Sequence, residues 1–312
     1  MMIKNTFKLV TTNFYTFWKM FLYKIIVALV AVGLIAVVFP TIKDIVVGSG
    51  FVTELSNYIQ NVLVFPNIIV ALQSVLALIV ACFNAVSQIF ASNPLLGIYL
   101  IFVLGIFIPT LSTMGEVPFG ECIYVHMASL SKSSFVNSYI RKFGSSIVYS
   151  VLKTLITLVL GAITFVCSYF TLRLITINST FVYFVPILLF TVVIVLISLW
   201  QTVLSGWMPA TVVFNDGAIK GFRQGFRTVA RRFFKTLSSL MAFNFLTLLL
   251  IYMFNFYILV VLIPFYSVFI ITFKMVMFFG SHGMRYYVDL DTILTPKKLE
   301  TYDKMKKSKY LI

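Results

Sequence analysis

Two acids and a histidine stand close together in the stretch GEVPFGECIYVHM: Glu116, Glu121 and His126. A carboxylate beside an imidazole can move protons, so Glu121 with His126 would suit a membrane-embedded enzyme acting on lipid. The plainer alternative is a pair of interfacial acids balancing Lys132, Arg141 or another arginine. Three lysines, Lys24, Lys153 and Lys274, fall inside apolar stretches, where an ionisable side chain is a functional candidate by default. Each also lies near a basic flank, so snorkelling of its ammonium toward water accounts for it without any function. A third reading takes Gln73, Asn84, Glu116, Glu121, His126 and Lys153 as the lining of a polar path in a permease or channel.

Other chemistry is not written in the chain. It has no serine elbow, no phosphate loop, no HExxH and no DxD-type cluster. The cysteines, Cys82, Cys122 and Cys167, are far apart, and the histidines are His126 and His282 alone. No metal site, cofactor or disulfide framework is expected from such spacing.

The elements that must position these residues are membrane helices. Of 312 residues, 61% are hydrophobic and 11% charged, against about 45–50% and about 25% for a soluble domain. So little charge cannot cover a water-facing surface, and the solvent for most of this chain is lipid. Residues 20–41, 94–114, 148–170, 181–204, 237–255 and 257–279 are each long enough to cross about 30 Å of hydrocarbon as a helix. Continuous apolar runs, without alternation, exclude a β-barrel. Segment 66–92 is apolar too. Its Gln73, Asn84 and Gln88 fall near one face with Ala77 and Ala81, which predicts a helix lying at, or re-entering from, the outer face.

Charge sets the orientation. Nineteen of the 24 lysines and arginines fall before the first span, in 115–147, in 205–236 or in the tail; only Lys43 and Arg173 lie on the other side. The bias predicts cytoplasmic termini and an even number of crossings in the plasma membrane. An alternative places the N-terminus outside, with 66–92 and 94–114 both crossing.

The segments 7–26, 135–155 and 222–241 share a pattern: an amphipathic stretch leading directly into a span. Gly115-Glu-Val-Pro118, Gly206-Trp-Met-Pro209 and Gly280-Ser-His-Gly283 close the hairpins. The expected fold is therefore all-α: a polytopic transmembrane bundle of about six spans. It divides into three units of interfacial helix plus helical hairpin, about 3–131, 132–216 and 217–283. Together, residues 1–283 form the membrane domain, and 284–312 a basic cytosolic tail with a short helix.

The third interfacial segment is the most basic. In FNDGAIKGFRQGFRTVARRFFKTL, Lys220, Arg223, Arg227, Arg231 and Lys235 share one arc of a helix, with Arg232 beside them. Ile219, Phe222, Phe226, Val229, Phe233 and Leu237 share another. Asn215 and Asp216 are natural N-caps. Such a helix can bind anionic lipid headgroups while its apolar face enters the headgroup boundary. The same face could instead dock a membrane or cytosolic protein. No nucleic-acid-binding fold surrounds it, so nucleic acid is not an expected partner.

Residues GWMPATVVFNDGAIKGFRQGFRTVARRFFKTL resemble multi-pass bacterial membrane proteins, including the membrane domain attached to some glycerophosphodiester phosphodiesterases. Trp207, Pro209, Asp216, Gly217 and arginines 223, 227 and 231 carry the likeness, over roughly residues 200–245. It implies a Trp/Pro turn, an acidic-Gly cap and a basic helix entering the next span. The catalytic part of those proteins is absent here, so no hydrolase activity is implied. The expected function is a non-enzymatic membrane component or accessory in transport, lipid or envelope homeostasis.

Overall fold

A computed structural model describes residues 2–63, 68–177, 184–215, 217–230, 232–254, 259–288 and 293–294. Among them lie fourteen helices and one pair of two-residue strands. They are α1 (Met2–Thr12), α2 (Phe14–Gly48), α3 (Phe51–Leu63), α4 (Ile68–Ser92), α5 (Pro94–Leu100), α6 (Ile108–Met114), α7 (Glu116–Ser129), α8 (Phe135–Arg141), α9 (Phe143–Ile177), α10 (Val185–Leu204), α11 (Trp207–Val213), α12 (Ala218–Ala230), α13 (Phe233–Phe254), α14 (Leu259–His282), β1 (Tyr286–Tyr287) and β2 (Ile293–Leu294). A π-helical turn, Ile101–Phe107, joins α5 to α6. It sits just ahead of Pro109, whose ring cannot share space with the carbonyl four residues back, so the backbone widens there.

Seven helical stretches are long and apolar enough to cross a membrane; the seventh, beyond the six expected, is Gln73–Ser92 in α4. The protein is thus an all-α membrane protein. Leu29, Val32, Val37, Leu95, Phe170 and Ile187 all stand exposed on these helices, which hydrocarbon tolerates and water does not. α14 is the exception. Its apolar window is 72% buried against 11–28% in the other six, and Val268–Phe279 is buried on every side. A helix apolar all round belongs at the centre of a bundle.

The tight packing is concentrated at one end. Leu9 of α1, Met20 of α2, Phe119 and Met127 of α7, Tyr149 of α9, Trp207 and Met208 of α11, Ala218 of α12 and Met275 and Phe279 of α14 form one core. Tyr286 and Val288 join it, so the first residues of the expected polar tail belong to the bundle. The Thr12 hydroxyl donates to the Val288 carbonyl (3.0 Å) and the Asn5 amide to the Tyr286 hydroxyl (3.0 Å). Helix α1 and the residues that follow α14 therefore meet at this end.

A short helix precedes a long one three times, but a break separates them where the sequence suggested continuity. Asn13, Lys142 and Arg232 lie at the breaks, after α1, α8 and α12. Asn13 (φ −106°, ψ 31°) and Lys142 (φ −103°, ψ 13°) share a backbone geometry. Gly115 (φ −70°, ψ −15°) and Gly206 (φ −83°, ψ −15°), at the starts of α7 and α11, share another. Counting from each break, positions four and eleven are buried or half-buried in all three helices: Phe17 and Lys24, Ser146 and Lys153, Thr236 and Phe243.

α4 lies far from the packed end. Its Phe83 meets Phe165 of α9, with ring centroids 5.9 Å apart. Phe165 is 22 residues past the start of α9, which is about 33 Å at 1.5 Å per residue. The Tyr99 hydroxyl of α5 donates to the Leu34 carbonyl of α2 (3.3 Å), about 30 Å from the start of α2 by the same rise.

Deep in the bundle, α10, α13 and α14 are tied by a closed set of polar contacts. Asn244 donates to Ser198 (2.8 Å) and Gln201 (3.1 Å), accepts from Tyr266 (2.7 Å), and Gln201 donates to Tyr266. In hydrocarbon these groups have no water to turn to. An Asn244→Leu variant removes three of the four bonds at once, and we expect a loss of about 1–2 kcal/mol, read as a lower melting temperature in detergent. A melting curve equal to that of the wild type would show the ring to be dispensable.

Asp216 and Arg231 lie outside the described residues, as does the short helix expected in the tail.

Candidate functional site

The three span lysines converge. Lys24 is on α2, Lys153 on α9 and Lys274 on α14, yet all three act electrostatically on one carboxylate, Glu116 at the start of α7. Lys153 and Lys274 are buried and Lys24 is half-buried. The Lys153 ammonium bonds both Glu116 oxygens and lies 5.4 Å from the Tyr149 ring centroid. The Tyr149 hydroxyl donates to Glu116 Oε2 (2.9 Å). Lys24 Nζ donates to the Ser112 carbonyl (2.8 Å) and to Ser112 Oγ (2.6 Å). Lys274, 5% exposed, has no hydrogen-bond partner among the described residues.

Local structure explains the convergence. α6 ends at Gly115, where an added Cβ would lie 2.7 Å from the Tyr23 ring. That ring is itself fixed by a hydrogen bond to the Leu111 carbonyl. The Gly115 turn thus brings the helix start, and Glu116 with it, against α2. Tyr149 is held from the other side by Trp207 (4.9 Å between centroids), and Trp207 by Phe222 of α12 (4.9 Å) and by the Ala218 carbonyl, which accepts from its Nε1 (2.7 Å). Lys24 and Lys153 each stand eleven residues past a helix break, so the fold presents the same cation twice in one register.

The other expected site residues are scattered. Glu121 pairs with Arg141 of α8, an exposed guanidinium. This is the interfacial balance considered above, with Arg141 as the partner. His126 turns instead toward the Val288 backbone. Five residues apart on α7, Glu121 and His126 point about 140° apart round the helix and form no dyad. Gln73 and Asn84 line a cavity of about 450 Å³ with Ser49, Gly50, Glu54, Ala77 and Ala81. The predicted common face of α4 is thus present, but this cavity lies at the α3–α4 hairpin. The six residues of the proposed path therefore occupy separate places: the α4 cavity, the Glu116–Lys153 cluster, the Glu121 pair and the His126 contact.

α12 has three sides where two were expected. Ala218, Gly221, Gly225, Thr228 and Val229 are buried. Gly225 and Gly206 meet backbone to backbone, so that a Cβ on Gly206 would lie 2.3 Å from the Gly225 carbonyl oxygen. The expected apolar arc is split. Val229 packs inward and Phe222 joins the core, while Ile219 (72% exposed) and Phe226 (52%) face outward. Lys220, Arg223 and Arg227 are exposed on the remaining side, as is Lys235 beyond the break. Arg232 is half-buried near Gly280 of α14. Asn215 does not cap the helix. Its backbone is left-handed (φ 55°) and its side chain accepts from Lys142, while the Gly217 carbonyl accepts the first bond of α12, from Gly221 (2.9 Å).

No known protein family, curated protein or solved structure matches this chain. Its chemistry is read from the geometry alone. The residues that sequence reasoning missed are Tyr149, Ser112 and the Ser198–Gln201–Asn244–Tyr266 ring. The sequence signal that pointed to the cluster was the placing of Lys24, Lys153 and Lys274 inside apolar stretches.

Proposed function

We propose that this chain is a non-enzymatic, multi-pass plasma-membrane protein that grips an anionic leaflet through α12, serving as a component or accessory in transport, lipid or envelope homeostasis. The observation that carries this reading is the three-sided helix. One side is bolted to α11 by glycine contact, the next offers Ile219 and Phe226, and the third offers Lys220, Arg223 and Arg227. A helix held edge-on in this way lies in the interface, with rings toward acyl chains and cations toward phosphates. Each cation near such a surface contributes about 1 kcal/mol.

The packed end would be cytoplasmic. The meeting of α1 with Tyr286 and Val288 supports an even number of crossings, and the distance of α4 from that end supports its lying at the outer face, leaving six. The recurrent breaks and glycine turns support three units.

Reversing three charges, in a Lys220→Glu/Arg223→Glu/Arg227→Glu variant, tests the leaflet grip. The wild-type protein in mixed-lipid nanodiscs should retain phosphatidylglycerol over phosphatidylcholine on purification, and the variant should lose that preference severalfold by lipid mass spectrometry. An unchanged lipid ratio would remove the proposal.

A further inference from the structure

We propose that Lys24, Lys153 and Lys274 form a buried binding site for a phosphate-monoester-type dianion, either free phosphate or the headgroup of a phosphatidate-like lipid. Charge balance is the first argument. Three ammoniums act on one carboxylate, and of the three Glu116 is hydrogen-bonded by Lys153 alone. Lys24 is met by neutral oxygens of Ser112, which leave its charge uncompensated. Lys274 is 5% exposed, and the carboxylate that acts on it is the Glu116 already bonded by Lys153. Two ammoniums therefore have no carboxylate of their own, Lys274 inside the bundle and Lys24 at a half-buried position. A buried charge without a counter-charge costs several kcal/mol, a cost that an anion received between these lysines would offset.

The ligand class follows from number and geometry. A phosphate monoester carries about two negative charges near neutral pH, which equals the surplus. Its oxygens can accept from donors on different helices, and lysine serves phosphate as a point charge in this way. Each ammonium has three donors: Lys24 spends two on Ser112, and Lys274 spends none on a described residue. The lysine backbones lie eight to ten residues inside their helix ends, about 12–15 Å at the helical rise. On α2 the neighbours of Lys24, Ile25 and Ile26, are exposed, so the Lys24 side of the cluster borders lipid. The proposal is independent of α12, because reversing charges on that helix leaves all three lysines in place.

The test uses the full chain, purified in neutral detergent and freed of lipid. Thermal unfolding is followed against sodium phosphate, with sodium chloride at matched ionic strength as control, and native mass spectrometry follows retention of phosphatidate against phosphatidylcholine. We expect a saturable rise in melting temperature with phosphate, or selective retention of phosphatidate. The first assigns a soluble anion and the second a lipid headgroup. In Lys274→Met the response should vanish while the ligand-free protein melts higher, since an uncompensated charge has left the interior. Lys24→Gln, at a half-exposed position that tolerates change, should weaken apparent affinity at least about tenfold, one decade of binding constant. Absence of both responses, or responses in the two variants equal to wild type, overturns the site.

Discussion

A Glu116→Gln variant should be less stable than the wild type by about 3–5 kcal/mol, the usual consequence of removing one partner from a buried charge group. Glutamine keeps the size of the side chain and an oxygen to accept from Tyr149, so the substitution isolates the charge. What it removes is the one carboxylate that Lys24, Lys153 and Lys274 share. Unfolding in graded denaturing detergent measures the change. Adding Lys153→Met to the glutamine variant should restore part of the loss, because the cation then without its partner is also gone. Such non-additivity is the signature of residues in one network. A Glu116→Gln protein within about 1 kcal/mol of wild type, in the range of an exposed pair, would mean that the cluster is solvated and that its burial does not matter.

The second large effect is steric. Gly206→Ala should cost about 3 kcal/mol, the upper end for overpacking, because the new Cβ would fall 2.3 Å from a backbone oxygen of Gly225 that no rotamer can move aside. α12 would have to leave α11, and with it the Phe222 ring that supports Trp207 and Tyr149. The control is the same chemical change at Gly161 of α9, where an added Cβ meets nothing within 4 Å. There alanine should be neutral or raise stability by up to about 1 kcal/mol, since it restricts the unfolded chain and favours the helix. Melting temperatures that fall equally in both variants would remove the argument for a close glycine contact.

Much of the architecture was legible in the chain because it depends on quantities that sum along it. Residues 20–41, 94–114 and 148–170 read as membrane helices because twenty apolar side chains in a row have one favourable solvent, whatever their neighbours. The breaks between α1 and α2 or α8 and α9 were less legible. An amphipathic period runs through Asn13 and Lys142 unchanged, and only the contacts of α1 with α14 and of α8 with α7 bend the backbone there. The start of α12 and its basic side were predicted, but its end at Ala230 was not, and its glycines were not recognised as the packed face. Hydrophobicity ranks Ile219 and Phe226 as the residues to bury, whereas in lipid the closest packing goes to the smallest side chains.

What the sequence determined by itself is the solvent, the helices and the gathering of cations in four segments, since each is a sum over local residue types. What only tertiary structure decided is which charges face one another. Lys24, Lys153 and Lys274 are separated by more than a hundred residues at each step, and nothing local distinguishes a lysine that snorkels to water from one that turns inward. That choice depends on where Glu116 stands, and Glu116 stands where the Gly115 turn and the Tyr149–Trp207 packing put it. Pairing across helices is a property of three-dimensional distance, and in a low-dielectric interior that distance governs the energy.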